Sequence, residues 1–170
     1  LEMALSDEII DLALSIIPNQ VTLVPEKREE LTTEGGLDVA NNFDKITETI
    51  YAFKEKGISV SLFIEPDTKT VELSKKSGAD YIEIHTGTYC NATDQKTIEN
   101  EIQKIYTAAR LGHELGLGIN AGHGLNYKNI IPILQTPALE ELNIGHSIIS
   151  RSIFTGLHKA VSDMIDIIKT

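Results

Sequence analysis

Residues 81–87 read Tyr81-Ile82-Glu83-Ile84-His85-Thr86-Gly87, and this stretch decides the fold. Ile82 and Ile84 alternate with Tyr81, Glu83 and His85, so a strand here has one apolar side and one side bearing ionisable groups. The runs Val21–Val24, Ile58–Ile64, Leu117–Ala121 and Leu142–Ile144 repeat the pattern. One parity carries Val21, Leu23, Val60, Leu62, Ile64, Leu142 and Ile144. The other carries Thr22, Ser59, Ser61, Glu65, Asn120 and Asn143. Each run ends in polar, reactive residues: Pro25-Glu26-Lys27-Arg28, Glu65-Pro66-Asp67, Thr86-Gly87, Gly122-His123-Gly124 and Gly145-His146-Ser147. Ligands of parallel α/β sheets bind at the carboxyl ends of the strands, so these clusters mark a candidate active site.

Helical patterns separate the runs. Ser6 caps a helix with Asp7 and Glu8 in its first turn, and Pro18 stops it. A second helix spans 40–56, with Phe43, Ile46, Ile50 and Phe53 at helical spacing and Gly57 as its stop. Asp67 caps a third, closed near Gly78. Residues 95–115 form a long one ending at Gly116. Asn126 caps a short one, and two more follow Gly145 and Gly156. This βαβα order predicts one domain with a parallel sheet wrapped by helices. An open doubly wound sheet covers both faces with apolar helices, whereas a barrel covers one and encloses the other. Strand parity therefore favours part of a (β/α)₈ TIM barrel over a flavodoxin-like sheet. Complete barrels take about 250 residues, roughly 80 more than stand here.

Composition narrows the function. The chain has 170 residues, enough for one sizeable core, and its net charge of −10 disfavours nucleic acid or an anionic membrane as partner. No apolar run is long enough to span a bilayer, and nothing resembles a signal peptide. The single cysteine, Cys90, forms no internal disulfide and suits a reducing cytoplasm; it reads as an inert loop thiol. No His/Cys spacing suggests a metal, and neither G-x-G-x-x-G nor a P-loop is present.

Alternation puts Glu83 and His85 on one side of their strand, where a buried carboxylate beside an imidazole suits proton transfer or stabilisation of a cation. The plainer alternative is a buried ion pair between Glu83 and an arginine. His123, between two glycines just after a strand, sits where backbone comes close to a ligand and where a histidine titrates near neutral pH; a surface turn is the alternative. Asn143-Ile144-Gly145-His146-Ser147 leads into a helix whose N–H groups make a phosphate seat, or simply a capped turn. The polar loop 25–38 offers Lys27, Arg28, Thr32 and Thr33 to an anionic ligand, unless its own glutamates pair its charges. His113 and His158 read as surface residues of helices.

The stretches LVPEKREELTTEGGLDV (23–39), VSLFIEPD (60–67), YIEIHTGTY (81–89), INAGHGLNY (119–127) and ELNIGHSIISR (141–151) closely resemble the pyridoxine 5′-phosphate synthase family of the deoxyxylulose-dependent vitamin B6 pathway. The resemblance covers essentially the whole chain. It implies a TIM barrel with extra helices, assembled as a homo-octamer, that uses no redox cofactor and no metal. It also implies condensation of 1-deoxy-D-xylulose 5-phosphate with 3-amino-2-oxopropyl phosphate, giving pyridoxine 5′-phosphate, inorganic phosphate and water. Matched motif to motif, Glu2 falls on a catalytic acid/base carboxylate at the end of the family's third strand. Glu83 falls on the carboxylate that stabilises the transition state, and His123 on the proton donor. Thr32 falls on a contact to deoxyxylulose phosphate, and Gly124, Gly145 and His146 on contacts to the amino-ketone phosphate.

The resemblance also implies that the family's first two strands and most of its third precede Leu1, so that residues 1–170 are the C-terminal two-thirds of a barrel, from the end of strand 3 through strand 8. Alone, such a piece leaves sheet edges open and is expected to be inactive or unstable. Two other readings stay open at this level. One is another phosphate-handling barrel enzyme, such as an isomerase or aldolase using the same Gly-His loops; a Schiff-base aldolase among these needs a lysine at a strand end, and Lys27 is the near candidate. A non-catalytic phosphate-binding module needs only the Gly-His loops.

Overall fold

The computed structural model describes residues 1–25 and 35–169. Six parallel strands, β1 (Glu2–Met3), β2 (Gln20–Leu23), β3 (Ser59–Ile64), β4 (Tyr81–His85), β5 (Gly118–Gly122) and β6 (Leu139–Asn143), lie side by side in chain order. Between and after them run α1 (Asp7–Ile16), α2 (Phe43–Glu55), α3 (Thr68–Lys76), α4 (Gly87–Asn91), α5 (Gln95–Glu114), α6 (Ile130–Ile133), α7 (His146–Thr155) and α8 (Leu157–Ile168). Strictly sequential order has a topological consequence. Right-handed crossovers that always step in one direction place every connecting helix on the same face, whereas a doubly wound sheet reverses direction and uses both. The sheet is thus a parallel half-barrel.

Register confirms which side chains share a face. Glu2 pairs with Thr22, Thr22 with Ser61, Ser61 with Tyr81, and Tyr81 with Gly118. One level up, Phe63, Glu83, Asn120 and Glu141 are level; above them stand His85, Gly122 and Asn143. The opposite parity, Val21, Leu23, Val60, Leu62, Ile64, Ile82, Ile84 and Ile119, is fully buried under the helices. Gly112 of α5 shows how closely they meet: a Cβ there would stand 2.7 Å from Ile119 Cδ1 and 2.9 Å from Ile82 Cδ1. On the inner face Tyr81 lies over Gly118, leaving no room for a side chain, so a ring closes the floor beneath the polar layers. Ser61 Oγ and Asn120 Oδ1, both inside, are buried without a hydrogen-bond partner among the described residues.

Several sequence expectations shift. Glu2–Met3 is a strand in its own right, so the sheet has six strands where periodicity alone shows five. The last strand is Leu139–Asn143 rather than 142–144, with a register irregularity at Ile119/Asn120. Phe63 breaks the parity rule by standing on the polar face. Asn126 does not cap α6; its Oδ1 accepts from Lys128 N and Asn129 N in an Asx turn, and Asn129 is the N-cap. Ser6 holds the N-cap of α1 with no side-chain bond. Asp67 does cap α3, accepting from Thr70 N at 2.8 Å. Cys90 lies in a helix, α4, and not in a loop.

Candidate active site

The inner face opens at the carboxyl ends of the strands into a cleft of about 1040 Å³. Glu2, Glu83, His123, Gly124, Gly145 and His146 all line it. Thr32, with Lys27, Arg28 and Thr33, lies outside the described residues; Gly35, just beyond that stretch, lines the cleft as well.

Glu83 is the buried centre of the cleft, 3% exposed. Asn143, sixty residues away but brought alongside by β5 and β6, donates from Nδ2 to Glu83 Oε2 at 2.8 Å. Glu83 Oε1 lies over Gly122, where a Cβ would collide with it, so the missing side chain makes room for the carboxyl. Burial pushes the Glu83 carboxyl up to about 7; the Asn143 bond opposes this, while the charges of Glu2 and Glu141 add to it and His85 works against it. A carboxyl so placed exists in both protonation states near neutral pH, which is what a proton-handling group needs.

His123 follows β5 with φ +78°, a left-handed conformation costing about 1 kcal/mol or more for a residue with a Cβ. The neighbouring strand supports it. Thr86, fully buried, donates its hydroxyl toward Gly122 O at 2.8 Å and His123 O at 2.6 Å, and its N–H reaches Gly122 O at 2.9 Å. Cys90 packs on the same loop, its Sγ 3.6 Å from His123 O, and burial raises its thiol above the ordinary range. The His123 ring stands 4.9 Å from that of His85, centroid to centroid; desolvation, then repulsion from His85, hold it below the usual histidine value.

Gly145 caps α7, and with His146 lies exposed at the cleft wall, where the first turn of that helix presents backbone N–H groups. Gly124, φ +81°, lies directly against Cys90, 2.8 Å from its Cβ were a side chain added. Glu2 stands exposed at the sheet edge. His113 and His158 are exposed helix residues away from the cleft, as their patterns imply. Missed in the sequence was the pairing of Glu65 with His85, 2.8 Å apart and both buried. The visible signal was that each closes its strand on the polar parity. Among the described residues no group of three or more His, Cys, Asp or Glu is arranged to hold a metal ion, and no helix is long and apolar enough to cross a membrane.

A parallel half-barrel with carboxyl, imidazole and helix N-terminus gathered at its strand ends has the layout of (β/α)-barrel enzymes, whose active sites lie at the carboxyl ends of the strands. The family model described as pyridoxal phosphate biosynthesis protein PdxJ matches residues 1–170, and the chain belongs to that family. Pyridoxine 5′-phosphate synthase of Geobacter sulfurreducens is 54% identical over 169 residues, 99% of this chain and 71% of that protein. The same enzyme of Geotalea daltonii is 53% identical over the same shares, and that of Photobacterium profundum 52% identical over 96% of this chain and 68% of its own. Among solved structures, the Amycolatopsis orientalis BexX/CysO complex shares the fold alone, with a TM-score of 0.53 and 13% identity over 92% of this chain and 60% of that one.

Proposed function

We propose that the protein is a pyridoxine 5′-phosphate synthase, joining 1-deoxy-D-xylulose 5-phosphate to 3-amino-2-oxopropyl phosphate to give pyridoxine 5′-phosphate, inorganic phosphate and water. The observation that carries this is the buried Glu83, titrating near 7 beside the strand-end histidines, in a chain about half identical to such synthases over nearly its full length. Phosphorylated substrates fit a cleft whose rim holds the N-terminus of α7.

The residues take the following roles in this reading. The amine of one substrate attacks the ketone of the other, and loss of water gives an imine. Glu2, at the open side of the cleft, moves protons on carbon and oxygen as the enamine forms. Glu83, ionised, stabilises the positive charge on nitrogen while Asn143 holds the carboxylate in place. His123, next to the phosphate seat, protonates the departing group. Gly124, Gly145 and His146 hold the amino-ketone phosphate, and Thr32 contacts the deoxyxylulose phosphate. An aldol-type closure and further loss of water make the ring aromatic. General acid–base help supplies roughly 10²–10⁴ in rate, and much of the remainder comes from holding two flexible substrates together.

The six strands correspond in this reading to the end of strand 3 through strand 8 of a TIM barrel, and residues 1–170 to one domain, its C-terminal two-thirds. Residues 1–170 by themselves are expected to yield no product, since among the described residues β1 and β6 each have a single neighbour. A homo-octamer in the cytoplasm completes the reading. Apolar side chains left bare on α7, Ile153 at 78% and Phe154 at 88% exposed, support their being covered by further protein. The test is direct. Full-length protein given both substrates should form pyridoxine 5′-phosphate with matching phosphate release, and neither substrate alone should. Binding of both phosphates without ring formation would instead favour a non-catalytic phosphate-binding module.

A further inference from the structure

We infer that Glu65 and His85 form a second acid–base pair in this cleft, Glu65 acting as the positioning residue that keeps a proton on His85 Nδ1 and leaves Nε2 as the proton-accepting nitrogen. The inference rests on the synthase reading and adds a group to it.

The pair is built by the sheet. Ile64 of β3 and Ile84 of β4 are in register, so the residues that follow them, Glu65 and His85, emerge level at the strand ends. Both are 7% exposed, and Nδ1 lies 2.8 Å from Glu65 Oε1. That same oxygen accepts the Gly36 N–H at 2.7 Å, which marks it as an acceptor and assigns the shared proton to His85 Nδ1. Glu65 Oε2 is buried with no hydrogen-bond partner among the described residues. A side chain serving packing alone gains nothing from such an oxygen; one that stands behind an imidazole gains a charge to face an imidazolium.

The ring is held on its other sides too. Phe63 meets it edge-on at 5.1 Å and His123 at 4.9 Å between centroids. Gly87, another residue of the cleft wall, lies so near that a Cβ on it would collide with His85 Nε2. The free nitrogen therefore faces the wall of the reaction space, not the core. The step it serves is the attack of amine on ketone. Once the C–N bond has formed, the positively charged nitrogen loses a proton to Nε2 and keeps the N–H electron pair. The imidazolium, its Nδ1–H still on Glu65, then gives that proton to the alkoxide oxygen left on the former ketone, which completes the neutral carbinolamine. Glu65 also holds Gly36, whose N–H it accepts and which has no room for a side chain: a Cβ would stand 2.7 Å from Glu65 N.

The experiment uses full-length protein with ¹⁵N-labelled histidine and both substrates. Neutral His85 should show a protonated Nδ1 and a bare Nε2 in the wild type, and Glu65→Ala should lose that tautomer. Glu65→Gln, which still accepts from Nδ1, should keep the tautomer but lower kcat about 10²-fold, with KM changed less than about threefold. His85→Asn should lower kcat at least as much, and Glu65→Asp should restore part of the loss. A wild-type ring protonated on Nε2, or Glu65→Gln and His85→Asn both within twofold of wild-type kcat, would overturn the inference. Wild-type protein that makes no pyridoxine phosphate would sink the synthase reading instead, while the tautomer still decides whether Glu65 positions His85.

Discussion

Replacing Glu83 by glutamine separates what this residue costs the fold from what it gives the reaction. The carboxyl ordinarily titrates at 4.5 and here near 7. At 1.36 kcal/mol per tenfold change in proton affinity, ionising it in the folded protein costs about 3 kcal/mol. The sign follows from linkage. Between pH 4.5 and 7 the folded state holds a proton that the unfolded state has lost, so this residue makes stability fall as pH rises through that window. Below 4.5 both states are protonated and the penalty vanishes; above 7 it is complete. Glutamine has the same shape, carries no charge, and its Oε1 still accepts from Asn143. In urea titrations of full-length protein, Glu83→Gln should match wild type near pH 4.5 and exceed it at pH 8 by up to about 3 kcal/mol. A Glu83→Gln protein equally displaced at both pH values, or less stable at pH 8, would refute the reasoning.

Other substitutions probe the same cleft. Gly122→Ala pushes a methyl into Glu83 Oε1 and should cut turnover at least about tenfold with a smaller change in stability, measured by kcat beside a thermal melt. Thr86→Val deletes the hydroxyl that holds the left-handed His123 loop and should cost about 1–3 kcal/mol in urea unfolding, together with much of kcat. Asn143→Ala removes the donor that favours the Glu83 carboxylate. Glu83 should then titrate higher, and the acidic limb of the pH–rate profile, near 7 in the wild type, should move to higher pH.

Much of this site was legible in the chain because alternation is a local property. Ile82, Glu83, Ile84 and His85 cannot avoid opposite faces once the segment is a strand, so the inward glutamate follows from four residues. The Gly-His loops were legible for a similar reason, since glycine beside histidine at a strand end leaves backbone open to a ligand. What stayed hidden depends on register, which no single strand encodes. Asn143 meets Glu83 only because β5 lies between them with an irregularity at Ile119/Asn120, and Glu65 meets His85 only because Ile64 and Ile84, which precede them, are in register. Helix α4 is five residues long, too short for a helical period to show, so Thr86 and Cys90 looked like loop residues. Phe63 looked like core by type, yet it stands inside to flank two histidine rings. Glu2 carried no local signal and entered through the family resemblance alone.

The central claim is that chemistry happens on the hydrophilic interior of the sheet, around Glu83. Its most direct measurement is pyridoxine 5′-phosphate production by full-length protein carrying Glu83→Gln, set against Glu140→Gln, whose carboxyl is exposed on the edge strand β6 and does not line the cleft. The account predicts a loss of about 10²-fold or more in kcat for the first and less than twofold for the second. Near-wild-type output from Glu83→Gln, or equal losses from both, would contradict it.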